Sequence, residues 1–270
     1  MTKTALITGS TSGIGEAFAD KLAREKYDLV LVSRDAGKLR TQADMLSERH
    51  GIAVSVISLD LARPGAAETV FDTVGERGLS IQILINNAGF NEAGHFLHTD
   101  MHREVEMIQL HAIFTTEMMK LFLPDMVEHG YGRVLNLGST GSYMPCPYDA
   151  VYAATKAYIL SVSKAISAEL KGSGVRITSL CPGATKTAFS AKAGLENTLL
   201  FKLFVMRPTT VADIGYKALM KGKAVVVAGA YNKILVWSSK ITPASALNAM
   251  TKKLLATPDG KHKLKKQLKT

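Results

Sequence analysis

TALITGSTSGIG, residues 4–15, is the stretch that decides the fold. Its first five residues are β-branched or aliphatic, as in a buried strand, and three glycines follow at once. Residues 16–25 then continue with an amphipathic helical pattern. Glycines between a strand and a helix permit a tight turn and let an anionic group approach the helix N-terminus. The loop is predicted to bind such a group through Gly9, Ser10, Ser12, Gly13, Ile14 and Gly15.

The same alternation of short apolar runs and longer amphipathic stretches continues along the chain. The predicted strands are 4–8, 29–33, 54–59, 83–86, 134–137, 176–181 and 224–227. The clearest predicted helices are 16–25, 38–49, 104–128 and 151–171. Apolar strands separated by helices indicate a parallel sheet that is covered on both faces. The fold class is therefore predicted to be α/β, with a doubly wound parallel sheet of the Rossmann type.

Composition favours one intracellular domain. The chain has 270 residues and is 47% hydrophobic, and its only cysteines are Cys146 and Cys181. Neither a secretory signal nor an apolar run of about 18 residues is evident, so a cytoplasmic protein is expected. We predict a single domain over 1–257, with a substrate lid near 187–207, and a basic tail over 258–270.

The net charge of +10 is concentrated at the C-terminus. Residues 252–270 contain seven Lys and one Asp, a net charge of +6. A terminal lysine-rich segment is typical of a solvated end rather than a nucleic-acid surface. We therefore expect no nucleic-acid partner, and we keep peripheral contact with anionic lipid as the less favoured alternative.

Further motifs follow the glycine loop in order. Asp60-Leu61 closes the predicted third strand, and Asn86-Asn87-Ala88-Gly89 closes the fourth. Ser139 precedes Tyr152-x-x-x-Lys156 by 13 residues, and Pro182-Gly183 with Thr185 and Thr187 follows the sixth strand. With the Gly-x-x-x-Gly-x-Gly spacing, this set resembles the short-chain dehydrogenase/reductase family over about residues 2–230.

The resemblance implies a nicotinamide dinucleotide cofactor and three catalytic residues. Tyr152 would be the general acid or base, Lys156 would hold the nicotinamide ribose, and Ser139 would hydrogen-bond the substrate oxygen. The remaining cofactor contacts would come from Asp60, Leu61, Asn87, Ala88, Gly89, Pro182, Gly183, Thr185 and Thr187. Tyr152 and Lys156 are four residues apart, so they share one helix face. The ammonium is expected to lower the tyrosine pKa from about 10 towards neutrality.

The end of the second strand bears on which cofactor binds. It reads Val32-Ser33-Arg34-Asp35, with no acid at the position that would accept hydrogen bonds from a ribose 2′-hydroxyl. Arg34 can pair with a 2′-phosphate, and Lys38 adds charge one turn later. In the alternative interpretation Arg34 is solvated and Asp35 caps a helix. NADP(H) is therefore preferred, with NAD(H) as the alternative.

One position departs from the family pattern. Where the family usually has an asparagine that holds a water in the proton relay, this chain has His111. Three interpretations stay open: a structural substitution that satisfies a local backbone group, a relay member that titrates around pH 6 to 7, or loss of the relay. The other histidines are scattered without cysteine or carboxylate partners at ligand spacing, so no metal site is predicted.

The substrate is predicted to be a small hydrophobic carbonyl or alcohol compound. Candidate pocket residues are Phe90, Asn91, 142–148 and 184–189, most of them apolar or aromatic. The leading hypothesis is an NADP(H)-dependent reductase or dehydrogenase, expected to form a homodimer or homotetramer. Two alternatives remain, a non-catalytic NADP(H)-binding regulator and a membrane-surface enzyme that acts on lipid-type substrates.

Overall fold

The computed structural model of the protein describes residues 3–187, 196, 198, 199, 201 and 205–255. Seven parallel strands form one sheet in the order β3-β2-β1-β4-β5-β6-β7. The strands are β1 Thr4–Thr8, β2 Asp28–Ser33, β3 Val54–Ser58, β4 Ile83–Asn86, β5 Gly132–Leu137, β6 Val175–Cys181 and β7 Val225–Val227. The predicted doubly wound parallel sheet is confirmed, and predicted and observed strand ends agree to within two residues.

Helices connect the strands and cover both faces of the sheet. They are α1 Gly13–Arg24, α2 Ala36–His50, α3 Ala66–Glu76, α4 Met101–Ile108, α5 Thr115–Glu128 and α6 Ala150–Glu169, followed by the helices Pro208–Met220, Ala230–Ser239 and Ala244–Leu255. One apolar cluster centres on Phe18 and Leu31, and another, built around Leu84 and Phe114, contains residues of α3 and α5. Every residue of β1 and β4 is buried, because helices cover both faces of the sheet.

The strand order reverses between β1 and β4. Chain connections leave these two adjacent strands in opposite directions, β1 towards β2 and β4 towards β5. A crevice forms at such a point, outside the carboxyl ends of the strands. The glycine loop follows β1 directly and the segment from Asn87 to Gly89 follows β4, so both predicted motifs lie at the crevice.

The predicted helix over residues 104–128 is present but not uniform. Between α4 and α5 the backbone forms a π-helical segment, Gln109–Phe114. Such a segment widens the helix by one residue per turn and often lies at a functional site. Its buried side chains are Leu110, His111 and Phe114, so the irregular turn carries His111 into the protein interior.

The structure describes only part of the predicted lid and none of the predicted basic tail. Most of 188–204 and all of 258–270 lie outside the described residues. Near the end of the predicted lid, Met206 pairs with Thr185 through an isolated parallel bridge. Among the described helices, none combines the length and the apolar composition needed to cross a bilayer.

Candidate active site

The glycine loop packs tightly against the end of β4. Gly9 has a φ of +67°, and a Cβ atom there would lie 2.9 Å from the Cα atom of Ala88. At Gly15, a Cβ atom would collide with the Gly9 carbonyl oxygen. The Asn87 side chain donates hydrogen bonds to the carbonyl oxygens of Thr8 and Gly9, at 2.9 and 3.1 Å. Glycine is therefore required here by both backbone conformation and close approach.

The same loop leaves polar groups available for an anionic cofactor. Ser12 is the N-cap of α1, but its side chain makes no capping hydrogen bond. The buried Ser10 hydroxyl has no hydrogen-bond partner among the described residues. Free N–H groups at a helix N-terminus and a spare hydroxyl suit a pyrophosphate. These residues fit the dinucleotide that the sequence motif predicts, and Gly13 lies against Thr187 from the segment after β6.

The end of β2 presents one unpaired cation. Arg34 is exposed, and its guanidinium makes no hydrogen bond or ion pair within the described part of the chain. Asp35 caps α2 by accepting a hydrogen bond from the Lys38 N–H at 3.0 Å. The Lys38 ammonium lies 3.6 Å from the same carboxylate. The charge of Lys38 is therefore partly balanced by Asp35, contrary to what the sequence suggested, whereas the Arg34 guanidinium is available to bind a 2′-phosphate.

The Asp60-Leu61 motif lies just beyond its strand. The structure ends β3 at Ser58, so the prediction that this motif closes the third strand is wrong by two residues. Leu61 is buried, and the Asp60 carboxylate accepts a hydrogen bond from the Ala62 N–H at 3.2 Å. This local hydrogen bond favours a turn over a further residue of strand.

Buried amides stabilise the carboxyl end of the sheet. Asn86 donates to the Asn136 side-chain oxygen at 2.9 Å, and Asn136 donates to the Ser163 hydroxyl at 2.9 Å. The Thr8 hydroxyl accepts hydrogen bonds from the N–H groups of Asn87 and Ala88, both at 3.0 Å. β1, β4, β5 and α6 are thus tied together where the cofactor motifs meet.

The structure brings Ser139, Tyr152 and Lys156 together. Ser139 and Tyr152 are partly exposed, whereas Lys156 is buried behind them. The Ser139 hydroxyl accepts a hydrogen bond from the Gly141 N–H at 3.1 Å, which leaves its proton for the Tyr152 phenol, with which it hydrogen-bonds. The Lys156 ammonium lies 5.5 Å from the Tyr152 ring centroid and donates to the Leu137 carbonyl at 2.8 Å.

The pKa values of this cluster differ from the sequence-based expectation. Burial raises the pKa of Tyr152 above its ordinary value, and the charge of Asp149 raises it further, while the Ser139 hydrogen bond opposes both. Burial lowers the pKa of Lys156 to about 8. The expected lowering of the tyrosine pKa by the ammonium is therefore not observed. Burial of the Tyr152 phenol and the Lys156 ammonium disfavours the charged form of each group. In addition, the ammonium donates its hydrogen bond to the Leu137 carbonyl rather than to the phenol.

His111 is buried, and its hydrogen bonds define its tautomer. The Thr155 hydroxyl donates to the Tyr152 carbonyl at 2.8 Å, so it can only accept from His111 Nδ1, 2.9 Å away. His111 therefore carries its proton on Nδ1 and leaves Nε2 as an acceptor, which has no hydrogen-bond partner among the described residues. A Cβ atom at Gly89 would lie 2.6 Å from Nε2, so the imidazole requires glycine there.

Two expectations for His111 need correction. Its partner is the Thr155 hydroxyl rather than a backbone group. Burial holds the pKa of His111 well below its usual range, and the nearby Lys156 ammonium lowers it further. Titration of His111 around pH 6 to 7, which the relay interpretation predicts, is therefore not expected. Whether His111 acts in a proton relay remains a prediction.

The segment after β6 supports the crevice from its other side. The Pro182 carbonyl accepts a hydrogen bond from the Thr140 N–H at 2.9 Å. A Cβ atom at Gly183 would clash with the Asn232 side chain. Thr185 donates a hydrogen bond to the Gly183 carbonyl at 3.0 Å, and Thr187 donates to the Thr185 carbonyl at 3.4 Å. This motif is therefore joined to the segment after β5 through Pro182, and only its last residue, Thr187, is shown against Gly13 of the glycine loop.

Part of the predicted substrate pocket faces a separate cavity. A cavity of about 630 Å³ is lined by residues 142–147, by Ala150, Ala153, Ala154 and Ala157 of α6, and by Asn248. None of Ser139, Tyr152 and Lys156 lines it. The cavity therefore lies beside the catalytic cluster. Its lining is mostly apolar, as the sequence analysis expects of this segment.

Sequence analysis missed Asp149. This residue is buried one turn before Tyr152, and burial raises the pKa of its carboxyl to about 7. The sequence feature that could have identified Asp149 is an acidic residue three positions before the candidate catalytic tyrosine, a spacing that places both side chains on one face of a helix. Among the described residues, no group of three or more His, Cys, Asp or Glu side chains could hold a metal ion.

A glycine loop and a Ser–Tyr–Lys cluster at the switch point of a doubly wound sheet define a dinucleotide-binding oxidoreductase. A family model described as short chain dehydrogenase matches residues 3–197. The chain belongs to the short-chain dehydrogenase family. The predicted family is thereby confirmed.

Relatives and solved structures agree with this assignment. The chain is 33% identical to the very-long-chain 3-oxoacyl-CoA reductase of Homo sapiens over 200 residues, 71% of this chain and 63% of the relative. It is 28% identical to the 7beta-hydroxysteroid dehydrogenase of Collinsella aerofaciens, over 84% of this chain and 86% of that protein. A short-chain dehydrogenase from Sphingobium yanoikuyae in complex with NADPH superposes with a TM-score of 0.79 and 31% identity, covering 88% and 94% of the two chains. The chain thus spans somewhat less than two thirds of the human reductase.

Proposed function

We propose that the protein is an NADP(H)-dependent reductase of a hydrophobic ketone or aldehyde, or a dehydrogenase of the corresponding alcohol. The observation that carries this proposal is the cluster of Ser139, Tyr152 and Lys156 beside the glycine loop. The names of the relatives support it, because a very-long-chain 3-oxoacyl-CoA reductase and a 7beta-hydroxysteroid dehydrogenase are both named for substrates with a carbonyl or hydroxyl group on a large apolar part. The NADPH complex of the Sphingobium enzyme supports the cofactor.

Tyr152, Ser139 and Lys156 have separate roles in the proposed reaction. When bound, the nicotinamide supplies hydride to a carbonyl carbon or accepts hydride from an alcohol. Tyr152 donates its phenolic proton to the oxygen that develops negative charge, and a neutral phenol is the form that its raised pKa favours. When substrate is bound, Ser139 redirects its hydroxyl proton from the Tyr152 phenol to the same oxygen. Lys156 places a cation beside the phenol, and this cation stabilises the phenolate left after proton transfer.

A panel of carbonyl compounds tests the proposal. We expect NADPH consumption, followed by its absorbance, with aliphatic and aromatic ketones or aldehydes of low polarity, and weaker turnover of charged ones. The reverse reaction is measured with secondary alcohols and NADP⁺. If no member of the panel is turned over while NADPH binds, the non-catalytic regulator becomes the better hypothesis.

Arg34 is expected to set the cofactor preference. A charge-assisted hydrogen bond from its guanidinium to the 2′-phosphate contributes about 1.5 to 3 kcal/mol. At about 1.4 kcal/mol per factor of ten, NADPH should bind about 10 to 100 times more tightly than NADH. In Arg34→Asp the preference should disappear or reverse. Dissociation constants of both cofactors, measured by fluorescence titration, provide the check.

The matched control for this experiment is Lys171→Asp. It introduces the same change of charge at an exposed residue that none of the cofactor motifs contains. We expect it to keep the wild-type preference, since only a local contact distinguishes the two cofactors. Equal affinities of wild-type protein for NADPH and NADH would refute the assignment of Arg34.

One surface favours a second candidate function, a reductase that acts at a membrane surface on lipid-type substrates. Ile234 and Trp237 of the helix Ala230–Ser239 and Ile241 just after it are 64%, 64% and 67% exposed. Lys233 and Lys240 flank them and are exposed. An apolar stripe with basic neighbours is typical of helices that lie in the headgroup region of anionic membranes. The substrate named for the human relative is a long-chain lipid thioester.

Liposome sedimentation tests this second candidate. We expect the protein to sediment with vesicles that contain 30% phosphatidylserine and not with neutral vesicles, because binding combines apolar insertion and charge. Ile234→Ser with Trp237→Ser should reduce the bound fraction at least fivefold. The control is Phe96→Ser with Leu97→Ser, which removes equally exposed apolar groups from another surface. Equal sedimentation of the two double variants would exclude a specific role for the helix.

A further inference from the structure

Asn232 is a buried residue that none of the cofactor and catalytic motifs contains. It lies in the first turn of the helix Ala230–Ser239 and is 5% exposed. Its Nδ2 atom donates a hydrogen bond to the Ala228 carbonyl at 2.7 Å and lies 3.5 Å from the Met206 Sδ atom. A Cβ atom at Gly183 would lie 2.6 Å from Nδ2 and 2.7 Å from Cγ of Asn232. The carboxamide therefore occupies the space that a side chain at Gly183 would need.

Asn232 supports the segment 182–187 in two ways. It contacts this segment directly, and it also contacts Met206, which is hydrogen-bonded to the segment. The Met206 N–H donates to the Ala184 carbonyl at 2.9 Å, and the Met206 carbonyl accepts from the Lys186 N–H at 3.0 Å. The backbone of the segment is thus fixed on one side by Met206 and covered on another by the carboxamide.

The segment 182–187 extends from the catalytic cluster to the glycine loop. At its start, the Pro182 carbonyl accepts a hydrogen bond from the N–H group that follows Ser139, at 2.9 Å. At its end, a Cβ atom at Gly13 would lie 2.8 Å from the Cγ2 atom of Thr187. A dinucleotide in the crevice outside the strand ends reaches from the glycine loop to the catalytic cluster. The segment therefore borders that part of the cofactor.

The two halves of the cofactor lie on opposite sides of the switch point between β1 and β4. Arg34, which is available to the 2′-phosphate of the adenosine half, follows β2 on one side. Ser139 and the segment 182–187 follow β5 and β6 on the other side. Hydride transfer requires the nicotinamide beside Tyr152, so the nicotinamide half lies on this second side. The contacts of Asn232 with the segment lie there as well.

We propose that Asn232 is a positioning residue for the nicotinamide half of the cofactor and acts through the segment 182–187. The inference rests on the proposed use of NADP(H). Because Gly183 has no side chain, loss of the carboxamide leaves a space behind the segment into which its backbone can move. A shift of about 1 Å is enough to misplace groups that must be aligned for reaction. The adenosine half, on the other side of the switch point, is unaffected.

Two nucleotides that differ by the nicotinamide half test this role. Dissociation constants of NADPH and of adenosine 2′,5′-bisphosphate are measured by calorimetry for wild-type protein and Asn232→Ala. Each lost hydrogen bond to the nicotinamide half costs a factor of about 3 to 10, so we expect NADPH affinity to fall about tenfold. Affinity for the bisphosphate should stay within about twofold of wild type. With an active ketone, kcat should fall about 10 to 100-fold.

Two further variants separate positioning from general stability. Asn232→Ser keeps a hydroxyl that can donate to the Ala228 carbonyl, four residues earlier, but it is too short to cover Gly183. We expect it to lose NADPH affinity as Asn232→Ala does, and it also serves if the alanine variant fails to fold. Val236→Ala loosens the same helix one turn later, at a residue that is 6% exposed. It should keep the wild-type affinities for both nucleotides.

The possible outcomes distinguish this inference from the proposed function. Unchanged NADPH affinity in Asn232→Ala overturns the inference while the proposed function stands. Equal losses for the two nucleotides, or the same selective loss in Val236→Ala, indicate general loosening and also overturn it. Wild-type affinity in Asn232→Ser would assign the effect to the hydrogen bond with Ala228 instead. If no ketone is turned over, the proposed function fails, and the two affinities still test the inference. Equal affinities of wild-type protein for both nucleotides overturn it, because the nicotinamide half then makes no contacts to position.

Discussion

Tyr152→Phe is expected to lower turnover by about 10² to 10⁴-fold and to leave NADP(H) affinity within about twofold of wild type. The substitution removes the only phenolic hydroxyl of the cluster while the ring keeps its packing against His111, 5.8 Å away between centroids. Without the hydroxyl, the proton donor of the proposed reaction is lost. Steady-state rates with an active ketone and fluorescence titration with NADPH measure the two quantities separately.

Tyr158→Phe provides the matched control on the same helix. Tyr158 is 43% exposed, and its hydroxyl hydrogen-bonds Thr116 at 2.9 Å, outside the catalytic cluster. We expect this variant to retain wild-type turnover. Lys156→Ala, by contrast, should reduce both turnover and cofactor affinity, since Lys156 is predicted to contact the ribose as well as the phenol. Wild-type turnover in Tyr152→Phe would mean that another residue transfers the proton.

Asp149→Asn is expected to stabilise the protein at neutral pH by about 2 to 4 kcal/mol, with little effect near pH 4. Burial raises the pKa of Asp149 from its ordinary 3.8 to about 7. Below about pH 4 the carboxyl is protonated in both the folded and the unfolded chain, so it contributes no pH dependence. Between about pH 4 and 7 only the unfolded chain releases the proton, so the free energy of unfolding falls as pH rises. Each pKa unit corresponds to about 1.4 kcal/mol, so the full change approaches 4 kcal/mol.

Urea unfolding at pH 4, 5.5, 7 and 8 provides the measurement. The difference between variant and wild type should grow through this series and level off above about pH 7, because both states of Asp149 are then ionised. Asp72→Asn, which removes an exposed carboxyl group of α3, is the control variant and should show no such trend. A constant difference between Asp149→Asn and wild type across the series would show that the buried carboxyl does not titrate as proposed.

Much of this protein follows from its sequence because the decisive signals are local. A strand followed by closely spaced glycines and a helix defines a βαβ unit, and Gly9 and Gly15 are indeed required by backbone conformation and close approach. Apolar runs located the strands of the sheet to within two residues at their ends. The i, i+4 spacing placed Tyr152 and Lys156 on one helix face, and the strand order brought Ser139 to them.

Other properties depend on residues that are distant in sequence, and only the tertiary structure decided them. Burial, which no spacing reveals, raises the pKa of Tyr152 and lowers the pKa values of Lys156 and His111. The π-helical turn that carries His111 inward lies in a stretch whose periodicity is simply helical. Asn91 and Asp149 are separated by 57 intervening residues, and a hydrogen bond between Gly94 and Tyr148 joins the two segments that contain them. Local patterns therefore determine the elements and their ends, whereas desolvation and contacts between elements determine the chemistry of the site, because both depend on how the elements pack.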